Sequence, residues 1–118
     1  CAIALWHNDL LSGAFKPAKE HVLLIGDAAG VILPITFEGI GSALKSGILA
    51  AEAIIQHFEN ETEAASLYIQ NLDPILDTIR HLCAVQDNLK ASSEGGAEHL
   101  AKALRDAYRE TLTIQNTK

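Results

Sequence analysis

The strongest constraint in this chain of 118 residues is a continuous β-rich run, His21-Val22-Leu23-Leu24-Ile25, that stops at Gly26-Asp27-Ala28-Ala29-Gly30. Such a run, flanked by Lys19 and Glu20 on one side and by glycine on the other, is the pattern of a strand buried on both faces. Its abrupt end predicts a turn at the strand's carboxyl end, where ligands of open α/β sheets bind. A buried strand cannot satisfy its own backbone polar groups. Neighbouring strands are therefore expected from another chain or from an upstream segment. The expected fold class is α/β: the last strand or strands of a larger sheet, then a long small-residue helix and a helical C-terminal region.

The segments around this run support that layout. Residues 1–6 are short and apolar and read as a strand or the end of one, and a short strand is expected near Ala14 and Phe15. Residues 31–38 form a connecting loop stiffened by Pro34. The spacing of Ile40, Ala43, Leu44, Gly47, Ile48, Ala51, Ile54, Ile55 and Phe58 predicts a helix from about Gly39 to Phe58. Glycine inside a helix costs roughly 1 kcal/mol relative to alanine. Gly41 and Gly47 therefore predict close approach of a sheet, another helix or a ligand. Asn60 or Thr62 caps a helix running to about Leu72, and Asp73-Pro74 starts the next one. Ser92 and Ser93 open a last helix with the stripe Leu100, Ala101, Leu104, Tyr108 and Leu112. The tail from Gln115 is expected to fray. The chain divides into residues 1–58, the end of a ligand-binding domain, and residues 59–118, a helical region.

Composition excludes several functions. A net charge of −6 with nine Lys and Arg gives no electrostatic footprint for nucleic acid. The apolar runs are broken by Asp27, Glu38, Lys45 and Glu52, so no transmembrane helix is expected. His7, His21, His57, His81 and His99 form no i, i+4 pair, which argues against a metal site. Cys1 and Cys83 show neither metal spacing nor a disulfide framework. Cys83 reads as a small core residue, and Trp6 and Tyr68 as core or interface anchors. Sparse cysteine fits a reducing, cytoplasmic setting, with a membrane-peripheral position left open. The chain opens on Cys1 without an initiator Met and reads as a piece of a longer protein.

The chemistry gathers between Gly26 and Gly41. Gly26 lets a flat ligand approach the backbone. Asp27 places a carboxylate at the strand end, suited to sugar-like hydroxyls. Gly39, Ile40 and Gly41 offer backbone N–H groups at a helix start, where the dipole favours negative charge. A polyol joined to a ring that becomes anionic fits these features, and reduced flavin is such a molecule. Two plainer readings stand beside this one. Asp27 and Glu38 serve as local caps, and the glycine-alanine helix serves as a packing seam.

Residues 22–52 resemble the second flavin-binding motif of glutathione-reductase-type FAD enzymes, and most closely that of the geranylgeranyl reductase family. The matching positions are Gly26, Asp27, Ala28, Ala29, Gly30, Pro34, Thr36, Glu38, Gly39, Ile40, Ala43, Ser46, Gly47, Ala50, Ala51 and Glu52. The resemblance implies FAD as cofactor, with Gly26, Asp27, Ala28, Pro34, Gly39, Ile40 and Gly41 on the binding side. Asp27 would bond the ribityl chain, and the backbone near Gly39 and Ile40 would face the pyrimidine edge. It implies hydride transfer through flavin N5 to an apolar, lipid-like substrate such as a polyprenyl double bond. No acid, base or nucleophile is assigned, because the cofactor carries the chemistry.

Phe37 stands where the family usually has glycine, which bears on the substrate side. The family's N-terminal Gly-x-Gly-x-x-Gly turn has no counterpart here, since Gly39/Gly41 and Gly95/Gly96 lack its spacing. The portion that holds the dinucleotide phosphates must come from elsewhere, and the isolated chain is expected to bind FAD poorly. Two alternatives remain open: a flavin monooxygenase or halogenase, and a non-catalytic helical interaction module. An exposed sheet edge also leaves open a homodimer through strand pairing.

Overall fold

The computed structural model describes residues 2–92, 96, 98, 101–106, 108 and 109. These residues are mostly helical. The order is α1 (Ala2–Ser12), β1 (Ala18–Lys19), β2 (Val22–Leu23), a 3-10 turn (Gly26–Ala29), α2 (Ile40–Gln56), α3 (Glu61–Asn71) and α4 (Asp73–Ser92). Residues 101–106 are also helical, with Leu104 and Tyr108 exposed. Expectations for Cys1, the side chain of Trp6, Ser93, Gly95, His99, Leu100, Leu112 and the tail fall outside the described residues.

Three expectations about strands are corrected. The segment beginning at Ala2 is helical to Ser12, because the chain buries His7 and Leu10 one turn apart beyond Trp6. Ala14 and Phe15 form a bend after α1, with the Phe15 N–H donating to the Asp9 carbonyl at 3.0 Å. The run at 21–25 is not a strand buried on both faces. Only Val22 and Leu23 are extended, and they pair antiparallel with β1 in the register Ala18 with Leu23 and Lys19 with Val22. Val22 and Ile25 are exposed. The sheet among the described residues is this one hairpin, closed by Glu20 and His21, with Glu20 in the left-handed region at φ 50°.

A two-stranded ribbon of this length is not stable alone. Here it is held by Tyr68 of α3, whose buried hydroxyl donates to the Leu24 carbonyl at 2.6 Å. The core runs through Leu10, Ala29, Val31, Leu33, Ala53, Tyr68, Leu72, Ile79 and Leu82, so residues before and after position 58 share it. Cys83 packs at its margin with a free thiol.

Asn60 caps α3 by accepting from the Glu63 N–H. The chain then passes from α3 into α4 almost without a break. Pro74 has no N–H to donate to a carbonyl one turn back, so the helix bends at Leu72. At the junction the Leu72 N–H is shared between the carbonyls of Tyr68 and Ile69, at 3.1 and 3.2 Å. Two His–Glu pairs tie the first turn of α3 to its neighbours: His21 with Glu61, and His57 with Glu63.

Helix α2 is apolar around most of its circumference. Lys45, Glu52 and Gln56 form a single polar line along it. Ser46, Ala50 and Ala53 are buried on one side. On another side Ile40, Leu44, Ile48 and Ile55 are exposed at 76%, 68%, 59% and 76%. A helix apolar nearly all round is normally covered nearly all round. No helix among the described residues is long and apolar enough to cross a membrane.

Candidate functional site

The site forms where the 3-10 turn meets the start of α2. Gly26 adopts φ 57°, a conformation that side chains disfavour, and a Cβ there would lie 3.0 Å from the Ala43 Cβ. Conformation and space therefore both call for glycine. Ser46 locks the junction. Its buried hydroxyl accepts from the Gly26 N–H at 2.9 Å and donates to the Ala43 carbonyl at 3.0 Å. Burial pushes the Tyr68 phenol up to about 12, an effect that Ser46 partly offsets.

The turn closes with Gly30 in the left-handed conformation, its N–H donating to the Asp27 carbonyl at 3.0 Å. The chain then crosses under α1, where buried His7 meets the Ile32 carbonyl through Nε2 at 2.7 Å.

Asp27 is exposed, and its carboxylate lies directly over the start of α2. A Cβ on Gly39 would come within 2.8 Å of Asp27 Oδ1. Gly39 is the N-cap of α2 and offers no capping side chain. The first N–H groups of the helix, at Ile40, Gly41 and Ser42, have no intrahelical acceptors. A carboxylate at this end is favoured by the helix dipole, by about 0.3–1 kcal/mol. Glu38 does not cap the helix either: its Oε1 lies 3.4 Å from where a Gly41 Cβ would sit, without a capping hydrogen bond.

These parts enclose an open cavity of about 550 Å³ lined by Ile25, Gly26, Asp27, Ala28, Ile32, Phe37, Gly39, Ile40 and Ala43. Five of the residues expected at the site therefore come together: Gly26, Asp27, Ala28, Gly39 and Ile40. Two do not line it. Pro34 is fully buried beneath the loop. Gly41 faces a separate concavity of about 240 Å³ together with Glu38, Ser42, Lys45 and Thr78.

Sequence reasoning did not place Ile25 or Ile32 in the cavity wall. In the sequence Ile25 reads as part of a buried strand, and Ile32 carries no signal beyond being apolar. Among the described residues, Asp27 is the one ionisable side chain lining the cavity. Its walls suit a flat, largely apolar ring system, and its carboxylate suits hydroxyl donors at one end.

The loop from Leu33 to Glu38 forms the cavity's outer rim. It is closed by the Leu33 N–H donating to the Glu38 carbonyl at 3.0 Å. Within it, the Thr36 N–H reaches the Pro34 carbonyl at 2.9 Å across Ile35 at φ 76°, a tight turn of the rarer, strained hand. Phe37 is at φ 53°. The Thr36 Oγ1 is buried and has no hydrogen-bond partner among the described residues. Among the described residues, no three His, Cys, Asp or Glu side chains gather as metal ligands would.

Comparison with known proteins adds a second line of observation. No family model and no solved structure matches the chain. It is similar to digeranylgeranylglycerophospholipid reductase 3 of Methanosphaera stadtmanae, with 33% identity over 113 residues. A shorter stretch is similar to conditioned medium factor receptor 1 of Dictyostelium discoideum, with 48% identity over 48 residues. The second match covers 41% of this chain and 9% of that protein. The first covers 92% of this chain but 28% of the reductase, so the chain spans about a quarter of the length of the relative it resembles along nearly all of its own.

Proposed function

We propose that this chain is the ring-and-ribityl half of the flavin site in an FAD-dependent oxidoreductase of the geranylgeranyl reductase type. The observation that carries this reading is the convergence of Gly26, Asp27, Ala28, Gly39 and Ile40 on one apolar cavity with a single carboxylate at the helix start. The similarity to a reductase over 92% of the chain supports the same class.

The cavity fits half of the cofactor. In this reading the Asp27 carboxylate accepts hydrogen bonds from ribityl hydroxyls. The small side chain of exposed Ala28 leaves room for the ring on one side. Ile25, Ile32 and Ile40 exclude water from it. The N–H groups opening α2 lie beside the same cavity and favour negative charge there. When bound, the flavin supplies the hydride chemistry, and the protein contributes orientation, dryness and field. The substrate is an apolar, lipid-like molecule with isolated double bonds.

The dinucleotide phosphates are held by a portion of the protein outside these residues. The same portion covers the exposed Leu44, Ile48 and Ile55 of α2. A two-residue strand edge offers few hydrogen bonds for pairing copies, so this apolar face is the larger surface left to cover.

The test is the flavin content of the complete protein. It should purify yellow, and heat should release FAD identifiable by chromatography. A folded, colourless protein that takes up no added FAD would refute the reading.

A further inference from the structure

Phe37 is the one cavity-lining residue whose backbone resists the side chain it carries. Its φ of 53° lies in the region where a bulky residue is an outlier. Glycine would adopt it freely. Phe37 is 55% exposed and lines the cavity together with Ile25, Ile32 and Ile40. Its backbone belongs to a loop under strain at a second place, Ile35 at φ 76°, and that loop also buries a Thr36 hydroxyl with no partner among the described residues. Strained backbone persists only where surrounding structure enforces it, and it clusters at ligand sites. The ring is too exposed for core packing to explain why it is kept.

We propose that Phe37 is a ligand-contacting residue of the cavity, whose ring packs against the planar heterocycle bound there. The proposal rests on the flavin reading and adds to it the residue forming the outer aromatic wall. Aromatic rings recognise flat π-systems through offset or edge contacts in addition to buried area. Among the described residues that line the cavity, Phe37 supplies its one aromatic ring.

Three variants of the complete protein separate a contact from a structural role. In each, FAD affinity is read by quenching of flavin fluorescence and apo-protein stability by thermal unfolding. Phe37→Gly should raise the unfolding midpoint, because glycine tolerates the left-handed backbone, yet weaken FAD binding by about threefold or more. Phe37→Leu should leave the midpoint near wild type and weaken binding to a similar degree. Phe37→Tyr, which keeps the ring, should retain wild-type affinity. If the wild type binds FAD and all three variants bind it equally, Phe37 is not a contact and the proposal falls while the flavin reading stands. If the wild type binds no FAD, both fall. Should Phe37→Gly not fold, the contrast between Phe37→Leu and Phe37→Tyr decides.

Discussion

The Ser46 hydroxyl accepts the Gly26 N–H at 2.9 Å across 20 residues of sequence, joining the end of the hairpin segment to the second turn of α2. The bond is buried, and among the described residues Ser46 is the acceptor for that amide. Ser46→Ala should therefore strand a buried donor and destabilise the fold by about 1–3 kcal/mol. Chemical denaturation measures this directly. A loss within experimental error would mean that water replaces the serine and that the junction is looser than described.

Gly39 and Asp27 form the second relationship that defines the site. A methyl group at Gly39 would fall 2.8 Å from Asp27 Oδ1, and the atom it meets is the free end of an exposed side chain. Gly39→Ala should then cost little stability, under about 1 kcal/mol, because the carboxylate can swing away. It should nevertheless weaken FAD binding by the complete protein, since the carboxylate no longer sits over the helix start. Parallel measurement of unfolding midpoint and FAD affinity separates the two effects. A large stability loss with unchanged affinity would contradict the geometry.

Tyr68 gives a pH dependence with a definite sign. Its phenol is raised from 10.0 to about 12 by burial. A group whose folded value exceeds its unfolded value contributes stability that is complete below the unfolded value. That stability is lost as pH rises through the folded one. The contribution is on the order of 2 kcal/mol and should disappear between about pH 10 and 12. The difference in urea midpoint between wild type and Tyr68→Phe isolates it from other alkaline titrations. The wild-type advantage should shrink across that window and hold steady below it.

The uncovered face of α2 predicts effects of opposite sign in two settings. Ile48 is 59% exposed in this chain. Ile48→Asp should leave the isolated chain as stable and make it more soluble. In the complete protein the same change buries a carboxylate against apolar neighbours and should lower stability by several kcal/mol, on the order of 3–5. Equal tolerance in both would mean that this face stays in water.

Much of the architecture was readable because local signals agreed with tertiary packing. The apolar spacing of α2, the Asn60 cap and Asp73-Pro74 each place an element whose bounds lie within a residue or two of expectation. The hairpin was not readable. A continuous run such as Val22-Leu23-Leu24-Ile25 has the same pattern whether it is a buried strand or a short ribbon leading into a cavity wall. The Tyr68 hydroxyl on the Leu24 carbonyl helps fix the outcome, and that partner lies 44 residues away. Helix α1 was obscured because its first residues carry no polar face to reveal a helical period.

The candidate site was legible as a motif and not as a volume. Gly26, Asp27, Gly39 and Ile40 could be named from spacing. The burial of Pro34 follows from the path of the rim loop, which no residue pattern encodes, and Gly41 turns to the other side because successive helix residues step around the axis of α2.

The most direct test of the central claim is FAD titration of the complete protein against its Asp27→Ala variant. If the cavity at the head of α2 holds the ribityl chain, the variant should keep its fold, judged by circular dichroism, and bind FAD about tenfold more weakly, as expected for loss of a charge-assisted hydrogen bond. Equal affinity in wild type and variant would contradict the account.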